Sequence, residues 1–204
     1  MDNSASGESL TLGSEEELQW RLSFLAPGEN VRGVFINSLL DVVRRLGGED
    51  TVRKCLTRDG QEPFLDFFNY PFSTYLNSIY SAASALSEKH GSVEESLRLM
   101  GYHAAQSFYL SPPGRVVLLL AQGEPRRLLD NLPLATRTTS TVADGSSRLT
   151  GPKKGILSYK RDLMPRPYTR GALLGTFEAA HVKGVQVLPH PVGPLDTDYE
   201  ISWD

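Results

Sequence analysis

The stretch SVEESLRLMGYHAAQSFYLSPPGR, from Ser92 to Arg115, decides how the rest of the chain is read. Ser92 followed three positions later by Glu95 is a capping box, which opens a helix. Val93, Leu97, Met100, Ala104, Ala105 and Phe108 then recur on one face, the spacing of a helix with a single buried side. Pro112-Pro113-Gly114 closes it and starts a further short helix through Leu120.

The same grammar extends towards the N-terminus. Gly91 ends a long helix predicted from Phe72 to about Lys89, where Ala82, Ala83 and Ala85 allow close packing. Before it, Pro63 to Pro71 is an aromatic-rich connection and Glu49 to Thr57 a short helix. Val31, Val34, Phe35, Leu39, Val42, Val43 and Leu46 predict a helix from Val31 to Leu46, stopped by Gly47-Gly48. Trp20, Leu22 and Phe24 alternate, which predicts a short strand or extended arm. Residues 1–17, rich in Ser, Gly and Glu, read as a mobile tail. Downstream, Glu124-Pro125 starts a helix expected to end near Pro133. β-Character then takes over at Arg137–Val142, Gly155–Arg161, Val185–Leu188 and Tyr199–Trp203, with a helix over about Thr169–His181. The fold class is therefore α+β. A helical N-terminal half packs with a small antiparallel β-sheet and one crossing helix in the C-terminal half, as one domain over 18–204.

Composition narrows the function classes. With 40% hydrophobic and 22% charged residues, the 204-residue chain has the make-up of an ordinary globular protein. Its net charge of −3 and scattered basic pairs lack the electrostatic footprint of a nucleic-acid binder. No apolar run reaches the ~20 residues needed to span a bilayer, and the polar, acidic Met1–Gly13 is unlike a signal peptide. A cytoplasmic location is expected. The single cysteine, Cys55, has no internal disulfide partner and reads as packing.

Motif chemistry is sparse. His90 and His181 sit at helix ends, His103 lies in mid-helix, and His190 lies between two prolines. None has a second ligand at metal-binding spacing. There is no nucleophile elbow and no Cys–His pair. Gly151-Pro152-Lys153-Lys154-Gly155 precedes a strand, whereas a phosphate-binding loop follows one, so it reads as a β-turn. No catalytic residue and no metal ligand emerges, which predicts a non-enzymatic protein.

Met100-Gly101-Tyr102 running on to Phe108, then Ser111-Pro112-Pro113-Gly114-Arg115, resembles a segment of a paralogous family of uncharacterised myxobacterial proteins. Gly123–Leu129, Asp198–Trp203 and Val31–Phe35 resemble further segments of it in the same order, so the likeness covers Val31 to the C-terminus. That family is similar in architecture to haem–nitric-oxide/oxygen-binding (H-NOX), vinyl-reductase-type and TRAPP-type domains. The resemblance implies a helical half followed by a small sheet with a crossing helix. It also implies a module that binds a small molecule, dimerises or recruits partners.

H-NOX domains ligate iron through a His shortly after a Leu-x-Asn-Leu segment. Here Leu129-Asp130-Asn131-Leu132 runs into Pro133-Leu134-Ala135-Thr136, with no His. Their propionate-binding Tyr-x-Ser-x-Arg is matched only by Tyr159 in Tyr159-Lys160-Arg161-Asp162-Leu163. A haem-free protein without cofactors is expected. One cysteine excludes the zinc site of some vinyl-reductase-type members, and no Cys follows Met100-Gly101-Tyr102 where a TRAPP acylation site would lie.

The leading expectation is a regulatory or signalling module acting through protein–protein interaction, with an unidentified partner or as a homodimer. Val31, Val34, Leu39, Val42, Val43 and Leu46 form the candidate interaction helix, unless the same stripe is simply core. The alternative is a sensor for a small apolar molecule, with Phe35, Leu39, Met100, Tyr102, His103 and Phe108 as the candidate pocket.

Overall fold

The computed structural model describes residues 10–56, 64–142 and 144–204. Eight helices and six strands follow in the order α1 (Glu15–Leu22), β1 (Asn30–Arg32), α2 (Gly33–Gly47), α3 (Glu49–Leu56), β2 (Asn69–Pro71), α4 (Phe72–His90), α5 (Val93–Leu110), α6 (Pro112–Ala121), α7 (Pro125–Thr139), β3 (Asp144–Gly151), β4 (Lys154–Lys160), α8 (Arg166–Ala179), β5 (Gln186–Pro191) and β6 (Thr197–Ser202), all among the described residues. β3 to β6 form one antiparallel sheet in the order β3-β4-β6-β5, and β1 pairs with β2. The α+β class, the helical first half and the small sheet with its crossing helix α8 stand as expected.

α5 is the axis of the molecule. Ser92 caps it by accepting a hydrogen bond from the Glu95 amide at 3.0 Å. Glu95's carboxylate turns to Arg98 (2.6 Å) instead of back to Ser92, so half of the capping box forms. α5 packs on α2 and α4 from the first half and lies along α8 from the second. The α8 contact is unusually close because glycines face it. A Cβ at Gly171 would fall 2.0 Å from the Arg98 carbonyl oxygen, and one at Gly101 would fall 2.0 Å from that of Tyr168. Gly175 repeats the approach against Tyr102 one turn further on.

Several expectations are corrected. Trp20 and Leu22 lie in helix α1, not in a strand. Ser14 accepts from the Glu17 amide at 3.1 Å, the first turn is acidic, and Glu17 pairs with Arg21 at 2.8 Å. Those local interactions override a three-residue alternation. The tail expected over 1–17 therefore ends before Ser14, and its residues 1–9 lie outside the described ones. α7 runs through Pro133 to Thr139, so Arg137–Thr139 finishes a helix where a strand was expected. β3 was not foreseen. It is an edge strand with mostly exposed side chains, so it lacks an apolar alternation.

The candidate interaction helix is corrected too. Val34, Leu39, Val42 and Val43 of α2 are buried against the neighbouring helices, Val31 is buried in β1, and only Leu46 is half-exposed. A stripe that supplies the core has no free face for a partner. Cys55 is buried as packing, and burial pushes its thiol up to about 11, which keeps it protonated and unreactive.

Candidate functional site: an apolar cavity between the helices and the sheet

α2, α4 and α5 from the first half enclose a cavity of about 210 Å³ together with α7, β4 and α8 from the second. Phe35 and Phe108 form one wall, stacked with ring centroids 4.7 Å apart. Phe72 and Tyr75 come from α4, and Ala104 and Ala105 from α5. α7 contributes Leu132, Ala135 and Thr136, and α8 contributes Tyr168, Thr169, Ala172 and Thr176. The loop after β4 supplies Asp162, Leu163 and Met164.

Polar groups are few and mostly paired with one another. The Tyr75 and Tyr168 hydroxyls share a 2.7 Å hydrogen bond. Burial pushes the Tyr75 phenol up to about 12 and raises that of Tyr168 well above its ordinary value, so both stay neutral. Tyr159 bonds Thr136 at 2.9 Å. Asp162 accepts from the Met164 amide at 3.0 Å and from the Thr169 hydroxyl at 3.1 Å. Burial raises its pKa, opposed by those two donors and by the charges of Arg21 and Arg166.

The loop that carries Asp162 is tied down from outside. Arg21 of α1 donates to the carbonyl oxygens of Leu163 (3.3 Å) and Met164 (3.1 Å). Arg161, at a positive φ of 53°, reaches the Glu29 carboxylate with two bonds of 2.6 Å and the Phe24 carbonyl at 2.6 Å. Its guanidinium is thus committed to Glu29.

Of the six pocket residues expected from the sequence, Phe35 and Phe108 line this cavity. Leu39 and Met100 are fully buried core and are not among the lining residues. Tyr102 and His103 are also outside the lining: Tyr102 bonds Glu178 and accepts from Gln106, and His103 bonds Gln106. On α5, Ala104 and Phe108 share a face, and Tyr102 and His103 point elsewhere. The lining residues of α7, β4 and α8 were missed. They are ordinary apolar and hydroxyl side chains that only the tertiary fold brings together.

A family model described as "Protein of unknown function (DUF2378)" matches residues 25–204. The chain belongs to the DUF2378 family. No curated protein matches it in sequence. Among solved structures it is similar to the Fe(II) unliganded H-NOX protein from K. algicida, with a TM-score of 0.64 at 16% identity, covering 85% of this chain and 96% of that one. It is also similar to the H-NOX protein from S. oneidensis in the Fe(II)NO ligation state, with a TM-score of 0.63 at 13% identity, covering 85% and 99%. At such identity the likeness shows the fold alone, and the DUF2378 chain has the H-NOX fold.

The lining residues do not fit a haem. Leu132, Ala135 and Thr136 are the side chains that α7 turns into the cavity, and neither His nor Cys is among the described lining residues. The remaining candidate donors are Met164 and tyrosines held in the neutral form, which make a poor axial set. The volume of about 210 Å³ is below the roughly 300–1,000 Å³ of drug-sized sites. Among the described residues, no group of three or more His, Cys, Asp or Glu could hold a metal ion. No helix there is long and apolar enough to cross a membrane.

Proposed function

We propose that this protein is a haem-free, non-enzymatic cytoplasmic regulatory module that takes one small apolar molecule into its cavity and signals through a protein partner. The cavity carries the proposal. Its lining is mostly apolar, and an apolar occupant there gains roughly 25 cal/mol for each Å² of apolar surface it removes from water. The size suits a molecule somewhat larger than benzene, which fits a cavity of about 150 Å³. Neutral tyrosine hydroxyls at one end favour an uncharged ligand with a single polar group.

Native mass spectrometry of the purified full chain tests this. An adduct of a few hundred daltons or less is expected, and Ala104→Leu, which fills the cavity, removes it while the protein stays folded. An adduct that persists in Ala104→Leu places the ligand elsewhere and overturns the assignment. A Soret band in the purified protein overturns the haem-free part.

A further inference from the structure

Two hydroxyls in the cavity wall carry one proton more than the protein uses. Tyr75 of α4 and Tyr168 of α8 both line the cavity and are 6% and 5% exposed, out of reach of bulk water. Their hydroxyl oxygens lie 2.7 Å apart. A neutral phenol has one O–H to donate and two lone pairs with which to accept, and burial keeps both phenols neutral. Whichever of the two donates, the proton of the other is left over. Among the described residues no further hydrogen bond engages either hydroxyl. A buried donor without an acceptor is unfavourable.

The lining threonines and Tyr159 carry no such surplus. Thr169 donates to Asp162 at 3.1 Å, and Thr176 donates to the Ala172 carbonyl at 2.7 Å. Thr136 donates to the Leu132 carbonyl at 3.0 Å, so Tyr159 donates to Thr136. The tyrosine pair is also held in place. Tyr75 and Tyr168 meet edge-on with ring centroids 6.4 Å apart, and Phe72 meets Tyr75 in the same way at 6.0 Å. The Tyr168 carbonyl sits hard against Gly101, which pins the backbone that carries its ring. A donor fixed in this way meets an acceptor without first being ordered.

The geometry points to a ligand whose polar group accepts a hydrogen bond and donates none: a small uncharged carbonyl compound, such as an alkyl aryl ketone. Its oxygen takes the surplus proton of the Tyr75–Tyr168 pair, and its hydrocarbon part lies along Phe35 and Phe108. The assignment rests on the proposal that the cavity takes a small apolar molecule, and adds the chemistry of that molecule's polar group. A ketone oxygen meets the surplus donor. An alcohol brings a donor together with its acceptor, so a surplus remains, and a hydrocarbon leaves the pair as it was.

Titration calorimetry of the dialysed full chain with acetophenone, 1-phenylethanol and isopropylbenzene tests it, because the three differ in one group and little in shape. Acetophenone should bind the wild type roughly three- to tenfold more tightly than 1-phenylethanol, the worth of one hydrogen bond. In Tyr75→Phe/Tyr168→Phe, shown to be folded by its thermal melt, that advantage should vanish. Isopropylbenzene should bind both proteins with affinities within about threefold of each other. The infrared carbonyl stretch of bound acetophenone should lie at lower frequency in the wild type than in the double variant. Equal affinities of the wild type for ketone and alcohol overturn the acceptor assignment, as does a carbonyl stretch that the double variant leaves unchanged. In either case isopropylbenzene that binds, and is expelled by Ala104→Leu, still upholds the apolar cavity. Binding of none of the three, or binding that Ala104→Leu leaves intact, overturns the cavity as the site and this assignment with it.

Discussion

Where Gly171 and Gly175 of α8 cross α5, the two helices touch backbone to backbone. Beside that seam, Ala104, Ala105, Ala172 and Thr176 line a cavity of about 210 Å³. The glycines at the seam remove the side chains that would hold the helices at a normal spacing. The alanines at the cavity keep theirs short while Phe35, Tyr75, Phe108 and Tyr168 wall the space off. A loosely packed interior would be loose at both places. Here the tightest helix contact of the fold borders its void, so the void is a built feature of a dense core.

The seam gives the largest expected effect. In Gly171→Ala the new Cβ would meet the Arg98 carbonyl oxygen at 2.0 Å, and backbone cannot swing aside as a side chain can. Separating the helices should cost about 3 kcal/mol in denaturant unfolding, after the ~1 kcal/mol that alanine gains over glycine in a helix. A stability within 0.5 kcal/mol of wild type would show that α8 can slide, and the contrast between seam and cavity would fall with it.

An intermediate effect is expected at the cavity wall. Tyr75→Phe or Tyr168→Phe alone leaves a buried hydroxyl without its partner and should cost about 1–2 kcal/mol. The double variant removes both hydroxyls and should cost clearly less than the sum of the two. Additive losses would mean that the cavity admits water that satisfies each hydroxyl separately, which would make it a wet pocket rather than an apolar one.

Half of that contrast was legible in the sequence. The periodic stripes of α2, α4 and α5 and the alternation in β4 and β6 are local patterns, and each element formed where its pattern lay. Phe35 and Phe108 were recognisable as pocket candidates because they lie on the two apolar helices expected to flank a pocket against the sheet. The glycine seam was not legible. Gly101 reads as a weakness in a helix until Gly171 and Gly175, some 70 residues away, are seen to face the same contact. Tyr102 and His103 were attractive for their chemistry, yet helical phase turns them away from the cavity. α1 and the end of α7 were misread where a short alternation or a run of β-branched residues competed with caps, ion pairs and tertiary packing.

The last expected effect, at Asp162, is one of direction, and it is the most informative about the cavity's polar end. Burial raises its pKa against the pull of the Met164 amide, the Thr169 hydroxyl and the charges of Arg21 and Arg166. A carboxyl whose folded pKa lies above its unfolded value binds more protons in the native state. Its contribution to stability is therefore greatest below the unfolded pKa and declines as pH rises towards the folded one. One proton limits the slope to about 1.4 kcal/mol per pH unit. The stability difference between wild type and Asp162→Asn, measured from pH 3.5 to 7, should accordingly fall as pH rises. If it rises instead, the donors outweigh desolvation and the carboxylate is held charged beside the cavity.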